Sequence, residues 1–314
     1  MRIVFMGSPE FAVPTLAMLT ESYQVVGVFT QPDKPAGRGQ RLTAPAVKEW
    51  AQEHGLLVLQ PRTLRDAAVQ AQLAELKPDV VVVAAYGLLL PKPVLDLPPH
   101  GCINVHASLL PKYRGAAPIS AAILDGESET GVTLMLMEEG MDTGPMLAQA
   151  SMPIHPDDTM NPLKARLAQL GAQLLAGTLP RWMAGEITPR PQDHSRATLA
   201  PKLGKTDGRL DWSKPAVELD RRVRAFSPWP GTFTFWNGKL LRILSVQVAG
   251  RAPEKTPWQG APGLVVRDAD GIGVVTGEGI LRLVEVQLEG KRAMSVQDFV
   301  RGQSALIGSV LGAD

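Results

Sequence analysis

The sequence predicts a Rossmann-like α/β domain with a mostly parallel sheet, followed by a small β-barrel domain. Three observations carry this reading. The chain opens strand, helix, strand over residues 2–30, the spacing of a βαβ unit. Asp79–Tyr86, DVVVVAAY, is a continuous apolar run, as expected of a central parallel strand buried on both faces. Beyond residue 206 the pattern shortens to strands punctuated by Asn237-Gly238 and Asp270-Gly271, and Asn-Gly between apolar runs signals a hairpin. The 314 residues suffice for two domains. We expect a catalytic domain over 1–185, a basic proline-rich linker over 186–206 and a second domain over 207–314.

The elements follow in order. Residues 2–7, RIVFMG, form the first strand and end in Gly-Ser-Pro; Pro9 suits the first turn of the helix that follows. Residues 24–30 form the second strand. The first turn holds a single glycine, Gly7, so the three spaced glycines of a dinucleotide site are missing, which counts against NAD or FAD. Residues 31–43, QPDKPAGRGQRLT, read as a mobile loop, longer than α/β connections normally are and basic through Lys34, Arg38 and Arg41. Helices are expected over Ala46–His54, Leu64–Leu76 and Ala116–Leu124, and strands over Leu57–Leu59, 101–105, Gly131–Met137 and Met146–Ile154. Asp158–Gly185 holds one long helix or two shorter ones. Beyond the linker, strands are expected over Thr232–Trp236, Leu240–Val248, Gly263–Val266, Gly273–Thr276 and Leu281–Val286. Helices over Val217–Phe226 and Val296–Leu311 flank them.

Composition narrows the class. The chain is 45% hydrophobic and 20% charged with a net charge of +1, ordinary values for a soluble globular protein. Residues 201–314 carry sixteen Lys and Arg against twelve Asp and Glu, so a neutral total hides a mildly basic C-terminal third. The lone cysteine, Cys102, excludes an intrachain disulfide and fits a reducing compartment. The N-terminal apolar run is too short for a signal peptide and the longest run, Val80–Leu90, too short to span a bilayer, which points to the cytoplasm.

The chemistry concentrates in residues 101–118, GCINVHASLLPKYRGAAP. Asn104 and His106 lie two residues apart on an apolar strand and therefore share one face. Asp142 emerges nearby in sequence order from the Gly-flanked end of another strand. In an open α/β sheet ligands bind beyond the carboxyl ends of the strands. Gly7-Ser8-Pro9, Tyr86–Pro91, Asn104–Pro111 and Gly140–Gly144 are expected to converge there. An amide donor, an imidazole and a carboxylate suit transfer of an acyl-type group. The amide stabilises a developing oxyanion, and losing one such donor costs roughly 10²–10³ in rate; the carboxylate orients the imidazole. No G-x-S-x-G elbow is present, which favours direct attack by an amine or by water over a covalent intermediate. His54, His100, His106, His155 and His194 show no zinc spacing, and no metal is expected.

Asn104, His106, Ser108-Leu109-Leu110-Pro111 with Arg114-Gly115, and Asp142 in Gly-Met-Asp-Thr-Gly resemble the folate-dependent formyltransferases and hydrolases. Within them, residues 5–11, the 31–39 loop and Ser227-Pro228-Trp229-Pro230-Gly231 resemble the bacterial methionyl-tRNA formyltransferases over essentially the whole chain. The resemblance implies 10-formyltetrahydrofolate as formyl donor, the initiator methionyl-tRNA as acceptor and a monomeric enzyme. It implies catalysis by Asn104, His106 and Asp142, and a folate pocket shaped by Ser108, Leu109, Leu110, Pro111, Tyr86 and Gly87. It also implies an OB-like C-terminal barrel that touches the tRNA, with Arg38, Lys34, Arg41, Lys202 and Lys205 as contacts. A sibling with a small amine acceptor, a hydrolase that passes the formyl group to water and a non-enzymatic RNA-binding module are the alternatives.

Overall fold

The computed structural model describes residues 1–36, 41–249 and 260–312. The chain forms two compact units. One comprises Met1–Pro118, Glu129–Pro153 and Leu163–Pro201; the other comprises Ile119–Ser128, Ile154–Pro162 and Lys202–Asp314. Among the described residues no helix is long and apolar enough to cross a membrane.

In the first unit the strands are β1 Arg2–Gly7, β2 Gln24–Phe29, β3 Lys34–Ala36, β4 Arg41–Thr43, β5 Val58–Leu59, β6 Val80–Ala84, β7 Cys102–His106, β8 Arg114–Gly115, β9 Glu129–Leu136, β10 Met146–Pro153 and β11 Leu199–Ala200. The helices are α1 Val13–Ser22, α2 Ala46–Glu53, α3 Ala67–Glu75, α4 Lys92–Leu95, α5 Pro118–Asp125 and α6 Met160–Met183; α5 falls almost wholly in the second unit and α6 mostly in the first.

Seven strands make the central sheet in the order β10-β9-β7-β6-β1-β2-β5. Strands β7, β6, β1, β2 and β5 are parallel, while β9 and β10 are antiparallel. Every residue of β6 is buried, because helices or loops cover both faces of a central parallel strand. Period-two alternation then sorts β7 by face. Val105 points toward α6, where Gly171 permits close approach: a Cβ there would sit 2.7 Å from Val105 Cγ1. Cys102 points the other way, into a core with Val4, Met6, Val81, Val83, Val94 and Leu95. Asn104 and His106 share that second face.

Several local expectations shift. Residues 31–43 read as a loop, yet β3 and β4 pair as a short antiparallel ladder with Pro35 opposite Leu42. A proline is tolerated there because a two-stranded ladder has only edges. The helix expected from Leu64 begins at Ala67, since the Asp66 side chain accepts from the Ala68 N–H and caps it. Asp158–Gly185 holds a single helix, α6, with Pro180 in its last turns.

In the second unit, α7 Ala216–Ala225 precedes β12 Thr232–Trp236, β13 Lys239–Val248, β14 Val265–Asp268, β15 Gly271–Val275, β16 Ile280–Leu288 and β17 Met294–Ser295, and α8 Val296–Gly302 follows. These six strands form one antiparallel sheet, ordered β12-β13-β16-β15-β14 with β17 beside β16. Its core includes Leu219, Val223, Trp236, Leu241, Ile243, Val274, Leu281, Val286 and Phe299. Asn237 and Gly238 both take positive φ, 48° and 68°, as a two-residue hairpin turn between β12 and β13 requires. Among the described residues no ladder joins β12 to β14 directly, but residues 308–312 link them: the Val265 N–H of β14 donates to the Ser309 carbonyl at 2.8 Å and the Gly312 N–H donates to the Phe235 carbonyl of β12 at 3.0 Å, an arrangement compatible with the expected barrel. The helix expected over Val296–Leu311 stops at Gly302, where Gln303 leaves helical geometry at φ −140°, ψ 58°; a 3-10 turn, Ser304–Leu306, follows, and Gly308 takes a positive φ of 81°.

Candidate active site

β7 delivers Asn104 and His106 to one face of the sheet, and a loop returns a carboxylate to meet them. Asp142 Oδ1 lies 3.4 Å from Asn104 Nδ2, and Asp142 Oδ2 lies 3.6 Å from His106 Nδ1. The Gly115 backbone N–H donates to Asp142 Oδ2 at 2.8 Å, the shortest of the three contacts. His106 is buried, and its Nε2 lies 3.0 Å from the Tyr113 carbonyl oxygen. Both ring nitrogens thus face acceptor oxygens, which fixes the ring plane. Asn104 is only half-buried, and one amide hydrogen suffices for its bond to Asp142, leaving a second N–H.

The carboxylate does not arrive from the strand end that the sequence suggested. Because β9 runs antiparallel to β7, its last residue, Leu136, lies beside Ile103 near the amino end of β7. The loop that follows approaches the site across the sheet face. Asp142 itself takes a left-handed conformation, φ 51°. Its carbonyl and that of Gly144 both accept from Gln192 Nε2 at 2.8 Å, and Gln192 Oε1 accepts from Arg114 Nε at 3.1 Å and from a terminal nitrogen of the same guanidinium at 2.7 Å. Gln192 is 5% exposed and Arg114 7%.

The Ser108–Pro111 turn is packed from within. The Ser108 hydroxyl donates to the Lys112 carbonyl at 2.7 Å and is fully buried, so it shapes the turn rather than lining open space. The buried Thr133 hydroxyl donates to the Ser108 carbonyl at 2.7 Å and accepts from the Leu110 N–H at 3.0 Å and from Gln149 Nε2 at 2.9 Å. Leu110 is buried, Leu109 and Pro111 half-buried, and the Leu110–Pro111 peptide is cis.

Tyr86 and Gly87 leave the carboxyl end of β6, next to β7 in the sheet. The Tyr86 ring is buried, and desolvation pushes its phenol well above the usual range. Its backbone carbonyl accepts from Gln31 Nε2 at 2.9 Å and from the Ser8 hydroxyl at 3.3 Å. Gly87 at φ 79° lets the Gln31 amide come close; a Cβ there would stand 2.4 Å from Gln31 Nε2.

Of the basic residues expected to meet nucleic acid, Lys34 and Arg41 lie on the β3–β4 ladder. Lys34 is exposed on β3 with its Nζ bonded to Gln31 Oε1. Arg41 begins β4, and Arg38 lies outside the described residues. Lys202 and Lys205 are exposed in the second unit. At the root of the β3–β4 ladder, Lys48 pairs with Asp33 at 2.7 Å and Gln60 donates to Asp33 Oδ1 at 2.7 Å. The Gln60 bond first, then Lys48, holds the Asp33 carboxyl below the usual carboxylate range.

Sequence reasoning missed Gln192, Thr133 and Gln31. Thr133 carried a signal, a hydroxyl inside the apolar run GVTLMLM. Gln192 carried none, lying among prolines in the stretch expected to be a linker. Residues in that stretch are bonded into the first unit: Arg190 exchanges backbone bonds with Met146 at 2.8 Å, and β11 pairs in parallel with β8.

Comparison with known proteins bears on this geometry. Residues 1–179 match the family described as formyl transferase, and residues 202–304 match the formyl transferase C-terminal domain. The chain is 53% identical over 309 residues to a methionyl-tRNA formyltransferase of Myxococcus xanthus, covering 98% of this chain and 97% of that one. It is 51% identical to the protein of the same name from Chloroflexus aggregans, with 97% and 98% covered. Among solved structures, an N-formyltransferase of Helicobacter canadensis in complex with folinic acid and dTDP-3-aminofucose is similar in fold. Its TM-score is 0.65 at 18% identity, covering 92% of this chain and 99% of that one.

Proposed function

The chain belongs to the methionyl-tRNA formyltransferases of the formyl transferase family, and from that premise we propose that Asn104, His106 and Asp142 carry its transfer step. The enzyme transfers the formyl group of 10-formyltetrahydrofolate to the free α-amino group of methionyl-tRNA, giving formylmethionyl-tRNA. The single observation that supports the assignment of residues is the convergence of the Asn104 amide and the His106 ring on a carboxylate seated by a backbone N–H.

The donor set fits a formyl carbonyl. The second N–H of Asn104 is suited to the formyl oxygen and strengthens as that oxygen gains negative charge, the differential binding that lowers a barrier. Bound formyl-folate supplies an activated one-carbon group at the oxidation level of formate. His106, held in plane by Tyr113, adds positive charge near the same oxygen when its ring is doubly protonated. Asp142 balances that charge and orients the ring. The Ser108–Pro111 turn with Leu109 and Leu110, and the Tyr86-Gly87 end of β6, would hold the folate. Lys34, Arg38, Arg41, Lys202 and Lys205 would meet the phosphates of the initiator tRNA. In this reading the enzyme acts in the cytoplasm as a monomer.

The test is formyl transfer to methionyl-tRNA by Asn104→Ala and Asp142→Asn. Loss of roughly 10²–10³ in kcat, the scale of one oxyanion donor, is expected in Asn104→Ala, with a comparable or larger loss in Asp142→Asn. Near-normal kcat in both variants would reject the assignment.

A further inference from the structure

We propose that Gln192 is a positioning residue for formyl transfer, acting through Asp142. The inference rests on the role given to Asp142 above. Asp142 holds a conformation that L residues adopt reluctantly, φ 51°, and such a state persists only where neighbours over-determine it. Two restraints act on it. The Gly115 N–H takes the side chain. The Gln192 amide takes the backbone, its Nε2 bracketing the carbonyls of Asp142 and Gly144 at 2.8 Å each.

The bracket is itself held. Arg114 presents Nε and a terminal nitrogen to Gln192 Oε1, a fork that fixes which end of the amide faces the loop. Arg114 is fixed in turn: its N–H donates to the Thr198 carbonyl at 2.9 Å, and its terminal nitrogen also lies 3.1 Å from His194 Nδ1, which must accept from it. Arg114 adjoins Gly115, so one short strand supplies the first restraint on Asp142 and anchors the second. A buried amide with both ends saturated leaves little alternative geometry, and the low local dielectric makes each bond costly to lose. The consequence is a carboxylate whose two oxygens keep their places opposite Asn104 and His106. The angle and distance to the imidazole are the quantities that a loosened loop would spoil.

The experiment uses the full-length enzyme with Gln192→Met, which keeps length and removes all four bonds. Expected is a fall in kcat of about 10- to 100-fold, the scale of a misplacement near 1 Å, with KM for formyl donor and methionyl-tRNA within about 2-fold and a cooperative thermal transition retained. In an Asp142→Asn background the same substitution should cost less than about 2-fold, because the group it positions is already disabled. An unchanged kcat, a loss confined to KM, or an equal loss in both backgrounds overturns the proposal. Gln192→Glu serves if Gln192→Met does not fold: it keeps acceptors for Arg114 but sets a carboxylate oxygen against the two carbonyls, and the same readouts apply. If Asn104→Ala and Asp142→Asn retain activity, the site assignment falls and this inference with it. If they lose activity and the Gln192 variants do not, this inference alone falls.

Discussion

Gly115 donates its backbone N–H to Asp142 Oδ2 at 2.8 Å, closer than either side chain that shares the carboxylate. The seat of the carboxylate is therefore a peptide group, and its position depends on the backbone path of β8. Gly115 has φ 117°, and a Cβ there would stand 2.7 Å from the Ala200 carbonyl oxygen. Gly115→Ala should therefore push β8 from β11 and displace the N–H. We expect a destabilisation of about 1–3 kcal/mol from the conformation alone and a fall in kcat larger than the change in KM. Urea unfolding and steady-state formylation check the two parts.

Thr133→Val isolates the Ser108–Pro111 turn. The substitution keeps shape but removes the hydroxyl that satisfies the Leu110 N–H, the Ser108 carbonyl and Gln149. Each buried group left without a partner costs about 1–3 kcal/mol. The urea midpoint should fall with the slope m unchanged, and KM for the formyl donor should rise more than KM for methionyl-tRNA. A donor KM equal to wild type would separate the turn from the folate site.

Cys102 supplies a pH test. Burial first, then the Asp96 charge, pushes its thiol from 9.0 up to about 12. A group whose folded value is raised contributes stability fully below the unfolded value and loses it as pH climbs through the folded one. Stability should decline between pH 9 and 12 by more in wild type than in Cys102→Ala, measured by urea unfolding across that window. The native thiol should also resist iodoacetamide at pH 8 and react only when denaturant is added.

Nucleic-acid contacts are tested by salt. The affinity for methionyl-tRNA should fall with a slope of log affinity against log salt of about −0.7 to −0.9 per phosphate contact. Lys34→Ala, Lys202→Ala and Lys205→Ala should each reduce that slope by about one. Arg38→Ala should chiefly lower discrimination between initiator and elongator tRNA. A flat salt response would take these basic residues out of the tRNA contacts.

The shared face of Asn104 and His106 was legible because strand periodicity needs only i and i+2: the two had to share a side once β7 was a strand. The hairpin turn at Asn237-Gly238 was legible for the same local reason. The direction of β9 was not. An apolar run looks alike in parallel and antiparallel pairing, and only the β7–β9 register shows that Leu136 opposes Ile103. The backbone bonds that link β12 and β14 through residues 308–312 were likewise beyond local pattern, since they depend on which strands lie at the edges. Gln192 escaped because its role comes wholly from partners 48 to 78 residues away in sequence.

That separation bears on synthesis. A chain growing from its N-terminus exposes Asn104, His106 and Asp142 well before Gln192, Thr198 and Ala200 leave the ribosome. The sheet strands up to β10 can pair in that interval, but Gly115 still lacks its β11 neighbour and the Asp142 loop its bracket. The Asp142 carboxylate is thus seated by one of the last segments of the first unit to emerge, and a nascent chain halted before residue 190 would carry Asn104, His106 and Asp142 without the parts that hold them in register.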